Sequence, residues 1–246
     1  LTHSETSTGV INDLKTISSH IRKHKKALSI IDCVTSIGAC NVPVDDWELD
    51  VVASGSQKGY MIPPGLSFVS MSEKAWQASE KSNLPKFYLN LKSYKKSLLS
   101  NSNPYTPAVN LVFALDESLK MMKDEGLDKI FKRHERHKLA VSEAAKTLNL
   151  KLFADENHLS PAVTAIQIKD IDAEQFRKNI KNKYDILLAG GQDHLKGKIF
   201  RVGHLGYIND RDIITVIAAI GNTLVEQNIV STDTAGKALK IASCHL

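Results

Sequence analysis

Asp50-Val51-Val52-Ala53-Ser54-Gly55-Ser56-Gln57-Lys58-Gly59 decides how the rest of the chain reads. Val51, Val52 and Ala53 form a short apolar run, read as a buried strand, and the Ser/Gly pair after them breaks it. One lysine, Lys58, therefore arrives at the end of a strand, in a tight polar turn ahead of Pro63-Pro64-Gly65. Its amine can condense with an aldehyde to a Schiff base, and a partly desolvated or cation-neighboured site keeps it uncharged near neutral pH. Taken alone, Lys58 reads as a solvated loop lysine. The segment upstream changes that.

Leu28-Ser29-Ile30-Ile31-Asp32 is a second apolar run, and it ends on a carboxylate. Open α/β sheets bind their ligands at the carboxyl edge of the strands, where Asp32 and Lys58 are both expected. A pyridoxal phosphate enzyme needs a lysine to hold the aldehyde and an acid to keep the pyridine nitrogen protonated. Asp32 by itself could merely cap the next turn. As a pair, acid and amine point to that cofactor.

In this light, Thr2-His3-Ser4-Glu5-Thr6-Ser7-Thr8-Gly9, Ile31-Asp32-Cys33-Val34-Thr35-Ser36, Ser54-Gly55-Ser56-Gln57-Lys58, Pro63-Pro64-Gly65 and Phe200-Arg201-Val202-Gly203-His204-Leu205-Gly206 resemble successive motifs of the class V aminotransferases. The alanine–glyoxylate and serine–glyoxylate group, of the aspartate aminotransferase fold, is the one they resemble most. The resemblance runs in order from residue 1 to about residue 228. It implies an α/β fold: part of a mostly parallel-sheet large domain over 1–125, a smaller α/β domain over 126–230, and a loosely attached tail over 231–246. An N-terminal portion preceding Leu1 is expected, because the chain opens without a methionine inside one of these motifs; the family's glycine-containing phosphate loop and ring-stacking aromatic would lie there. The chain as it stands is then expected to bind the cofactor poorly.

The resemblance assigns roles residue by residue. Lys58 would hold pyridoxal 5'-phosphate and, once displaced, move the proton between substrate and cofactor. Asp32 would stabilise the pyridinium, and Val34 would pack on one ring face, although it reads as plain core as well. Gln57 would donate to the phosphate and Thr6 would contact the cofactor, although Thr6 alone is an ordinary turn residue. Thr106 would reach the cofactor phosphate of a partner subunit, which implies a homodimer with shared active sites. Some relatives have a phosphate-binding tyrosine three residues before that threonine; Asn103 stands there, with Tyr105 close by. Arg201, an isolated guanidinium in an apolar strand, would clamp the substrate carboxylate, its alternative being a structural salt bridge. His204 reads as a packed histidine, and Gly190-Gly191 as a turn near the substrate entrance.

The composition fits this reading and excludes little else. Of 246 residues 42% are hydrophobic, enough for a packed core, and no run approaches the about 18–20 apolar residues of a membrane span. The formal charge of +5 is spread over several stretches, Arg22 to Lys26, Lys92 to Lys96, Lys129 to Arg136 and Lys178 to Lys183, with no aromatic-rich basic module for nucleic acid. Three cysteines, Cys33, Cys40 and Cys244, are odd in number and form no Cys-x-x-Cys, so neither a disulfide framework nor a metal site is indicated. A hydrogenase label carried by some relatives of this type finds no chemical support in them. A cytoplasmic, membrane-free setting is expected.

Apolar spacing predicts helices over 11–24, from Ser72 through Ser79, over 111–122, 127–148, 172–182 and 209–228, and strands over 27–32, 66–70, 161–168, 185–189 and 198–202. The strand ending near Gly9, the helix over 11–24 and the strand over 27–32 are expected to form a βαβ unit, followed after a short connection by Val42-Pro43-Val44, and 80–106 is expected to be polar and irregular. The function implied is transfer of the amino group of alanine or serine to glyoxylate or a similar keto acid, by a ping-pong mechanism. The rivals are a lyase or desulfurase of the same class and a non-catalytic, dimerising subunit. Gln57 in place of a histidine before the lysine argues against a desulfurase.

Overall fold

The computed structural model describes residues 1–169 and 171–246. The central strand is β4 (Val51–Gly55), which runs parallel to β3 (Ile30–Asp32) with Asp32 opposite Ala53. On its other side β5 (Ser67–Met71) pairs antiparallel, and Thr2 bridges Asp32 in parallel at the far edge. A hairpin of β1 (Ser4–Glu5) and β2 (Val10–Ile11) then leads into α1 (Leu14–Arg22), capped by Asp13. Leu14, Ile31, Cys33, Leu49 and Val52 form a small core, with Val42 and Val44 packed on it from a loop. Val42 and Val44 thus anchor the loop between β3 and β4 to this core.

Helix α2 (Glu73–Glu80) starts at Ser72, whose hydroxyl accepts from the Ala75 N–H as a helix cap does. The stretch expected to be irregular contains α3 (Leu91–Leu98), none of whose residues is buried. It escapes a periodicity reading because it has no core to face. Gly126, at φ 87°, breaks α4 (Val109–Glu125) from α5 (Leu127–Thr147).

After α5 come β6 (Lys151–Leu152), β7 (Val163–Gln167), α6 (Ala173–Tyr184), β8 (Ala189–Gly190), β9 (Ile199–Gly203) and α7 (Asp210–Glu226). The four strands make an antiparallel sheet ordered β6-β7-β9-β8. Leu152, Ile166, Phe200 and Val202 meet α5, α6 and α7 in one large core, where Phe176 and Phe200 stack with centroids 5.2 Å apart. Side chains alternate across a strand, so Ala165, Ile199 and Arg201 lie on the face away from those helices.

Residues 231–246 do not form a loose tail. Thr232–His245 is α8, capped by Ser231, and it buries Ala235, Ala238 and Ala242 in the same core. Alanine carries too little apolar surface to mark the face in sequence. A Cβ added at Gly221 of α7 would sit 3.3 Å from the Ala235 Cβ, so small residues on both sides let these helices approach closely.

Candidate functional site

Parallel pairing brings the carboxyl ends of β3 and β4 to one sheet edge, and Asp32 and the Lys58 turn leave from it. The Cys33 N–H donates to the Ala53 carbonyl at 2.8 Å, and the chain then curls through Gly38 back towards β4. Gly38 and Gly59 dock the two loops. A Cβ at Gly59 would lie 2.1 Å from the Ile37 carbonyl oxygen, and one at Gly38, where φ is +83°, 2.8 Å from the Gly59 Cα. Only glycine permits that backbone contact.

The Lys58 turn is held from beneath by Ser56, which is fully buried. Its hydroxyl donates to the Pro63 carbonyl (2.8 Å) and accepts from the Leu66 N–H (3.1 Å), and its own N–H reaches the Leu66 carbonyl (3.0 Å). The Met61 N–H closes the turn on the Lys58 carbonyl at 3.0 Å, and Ser118 of α4 donates to the Tyr60 carbonyl. Lys58 is half-buried, whereas Gln57 and Asp32 are exposed. One Asp32 oxygen is oriented by the Val34 N–H at 2.9 Å.

Thr6 lies in the β1–β2 turn, where the Glu5 carboxylate accepts from the Ser7 N–H (2.8 Å) and hydroxyl (2.7 Å). Those two bonds hold Glu5 below the usual carboxylate range. The Thr6 hydroxyl bonds that of Thr35, three residues past Asp32, and the Thr6 carbonyl accepts from Arg201 Nη1 at 2.7 Å. Arg201 Nε donates to the Gly190 carbonyl at 2.8 Å. Burial lowers the Arg201 pKa, with Arg177 adding to the effect and Glu5 opposing it. Gly9, at φ +70°, lets the same turn lie on β7, since a Cβ there would come within 3.0 Å of the Ala165 nitrogen.

The fold thus links the loops that carry Thr6, Asp32, Val34, Gln57 and Lys58, and Arg201 of β9 joins them through the Thr6 carbonyl. Thr106 is not joined to them by a hydrogen bond among the described residues; it lies exposed in the loop before α4. Tyr105 donates its hydroxyl to the Phe87 carbonyl at 3.1 Å, within an aromatic cluster with Tyr88 and Tyr94. His204 is buried between the Pro161 carbonyl and the Thr164 hydroxyl, and burial pushes its pKa down to about 3. Thr35, Ser56, Arg133 and His134 escaped the sequence reading. A hydroxyl following Asp32 was the only available signal, and it marked Thr35 alone. Among the described residues no three His, Cys, Asp or Glu side chains gather as a metal-ligand set, and no helix is long and apolar enough to cross a membrane.

The chain is similar to a family of known proteins. The family described as Aminotransferase class-V matches residues 1–206. The soluble hydrogenase 42 kDa subunit of Anabaena cylindrica is 58% identical over 92% of the chain and 59% of its own length. An uncharacterized aminotransferase of Methanocaldococcus jannaschii is 40% identical over 91% of the chain and 59% of its own length. The crystal structure of ureidoglycine–glyoxylate aminotransferase from Bacillus subtilis superposes with a TM-score of 0.89 at 31% identity, covering 98% of this chain and 64% of that one. The chain therefore spans about 59% of the length of those two curated relatives.

Such relatives imply a pyridoxal phosphate site, and the residues present fit one end of that molecule. An exposed carboxylate, steered by a single N–H, stands beside a lysine turn docked to its own loop. This donor set suits a protonated pyridine nitrogen and an aldehyde. For the phosphate, the exposed Gln57 amide is the donor these residues supply.

Proposed function

The chain belongs to the class V aminotransferases, and from that premise we propose that it carries the lysine, acid and arginine of a pyridoxal-phosphate-dependent transfer of an amino group from alanine or serine to glyoxylate. The parallel register that sets Asp32 opposite Ala53, with the Lys58 turn docked on the loop after Asp32, is the observation that carries this reading. When bound, the cofactor supplies an electron sink for the bonds around the substrate α-carbon. Asp32 would hold a protonated ring nitrogen through a charge-assisted hydrogen bond, and Val34 would supply an apolar contact to the ring. Lys58 would hold the cofactor's aldehyde through its amine and would serve as the general acid–base group that moves the substrate's α-proton. Gln57 and Thr6 would help to hold the cofactor. Arg201 binds the carboxylate shared by amino and keto acids with the donors not committed to Gly190 and Thr6.

The homodimer belongs to the same proposal, with Thr106 completing the partner's phosphate site. It is supported by the apolar side chains that α4 and the preceding segment expose, among them Phe87, Leu89, Leu99 and Phe113. So does the division of the chain into two domains near Glu125–Gly126, where α4 gives way to α5. In the intact protein, borohydride should fix the cofactor's mass on Lys58, and Lys58→Ala should lose the adduct and about a thousandfold or more of transamination. An adduct that persists in Lys58→Ala would refute the assignment.

A further inference from the structure

Arg133 and His134, on α5, have no part in the chemistry above, yet they meet the loop that joins Arg201 to the Lys58 turn. Arg133 spreads its guanidinium over three partners. Its Nε and Nη2 donate to the two Glu125 carboxylate oxygens at 2.7 and 2.9 Å, and its Nη1 donates to the Gly206 and Ile208 carbonyls at 2.9 and 3.0 Å. His134 donates from Nδ1 to the Ile130 carbonyl (2.7 Å) and accepts the Gly206 N–H at Nε2 (3.0 Å). Both polar backbone atoms of Gly206 are therefore bonded to α5. Its left-handed φ of +79° turns the backbone so that a Cβ would sit 3.5 Å from the Lys58 carbonyl oxygen and 3.4 Å from Met61 Cγ.

The other end of the fork closes a circuit. Glu125 is the last residue of α4, the helix whose Ser118 donates to the Tyr60 carbonyl. The Lys58 turn is thus touched on one side by α4 and on the other by Gly206, and Arg133 ties these two to each other. Arg201 is on β9, which ends at Gly203, three residues before Gly206. We propose that Arg133 is a positioning residue: its Glu125 fork and its two carbonyl bonds fix the separation between Lys58 and Arg201, and so the length over which an amino acid's amine and carboxylate are held. A planar guanidinium is needed for this, since an ammonium cannot fill a bidentate fork and two carbonyls together. Its side chain is 14% exposed and that of Glu125 34%, so solvent screens the pair only in part.

The proposal rests on the function above only for what the two loops carry, and its test reads the loops directly. In the intact protein, hydrogen exchange is followed at Met61 and Ile62, whose amides bond the Lys58 and Ser56 carbonyls, and at Gly206. Arg133→Lys should speed exchange about tenfold at all three while β7 and β9 stay protected; Glu125→Gln should do the same about threefold. With amino acid as the varied substrate, KM should rise about tenfold and kcat change less than about threefold. Faster exchange at Gly206 with unchanged rates at Met61 and Ile62 would overturn the proposal and leave Arg133 a local staple. So would a lowered kcat with constant KM. If Arg133→Lys fails to fold, Glu125→Gln decides by the same criteria. Failure of the transaminase reading is distinct, since it appears as a missing Lys58 adduct in the unsubstituted protein.

Discussion

Helices α4 and α5 are separated by Gly126 alone, yet they treat their apolar residues in opposite ways. Helix α5 buries Ala140, Val141, Ala144, Ala145 and, just beyond it, Leu148 against a sheet and further helices. Helix α4 buries Ser118 and Met122 and leaves Val112, Phe113 and Leu119 exposed. The same contrast separates the two halves of the chain. From α5 onward, sheet and helices close one core; before it, three short strands enclose a few side chains and Ile30, Val69 and Phe87 face outward. The half carrying Lys58 and Asp32 leaves large apolar side chains uncovered, whereas the half carrying Arg201 buries most of its own.

The largest effect expected from this contrast is in the closed core. Phe200→Ala should cost about 3–5 kcal/mol of stability, whereas Phe113→Ala, removing a ring that is 71% exposed, should stay within about 0.5 kcal/mol for the chain alone. Equal costs in denaturant titrations would break the comparison. Gly59→Ala comes next, at about 1–3 kcal/mol, because its methyl group would meet the Ile37 carbonyl and no flexible side chain can yield. That variant should also form less of the borohydride adduct at Lys58. An unchanged melting curve with full adduct would mean that the two loops are not docked as described.

The smallest effect at neutral pH, growing only on acidification, concerns the buried imidazoles. His134 is pushed down to about 4 and His204 to about 3, chiefly by burial, from 6.5 in the open chain. The unfolded state therefore binds more protons than the folded one below pH 6.5. Stability from these groups is complete above that value and falls as the pH drops towards 4 for His134 and 3 for His204. Melts taken from pH 7.5 downward should show the C-terminal core losing stability, and His204→Gln should flatten the slope. A slope unaffected by that substitution would assign the acid sensitivity to other groups.

The amino-acid sequence determined where Asp32 and Lys58 stand along the chain and most long elements. Asp32 and Lys58 could be read because each ends an apolar run at a polar turn, and α5 and α7 because large apolar residues repeat along one face. It did not determine α8, whose alanines have little hydrophobic signal, nor α3, which buries nothing. Only the tertiary structure decided what joins distant segments: Thr6 to Thr35 and Arg201, Gly38 to Gly59, and Arg133 to Gly206. Backbone carbonyls and glycine hydrogens carry no residue-specific mark in a sequence. Contacts built on them come into view only once the chain has folded back on itself.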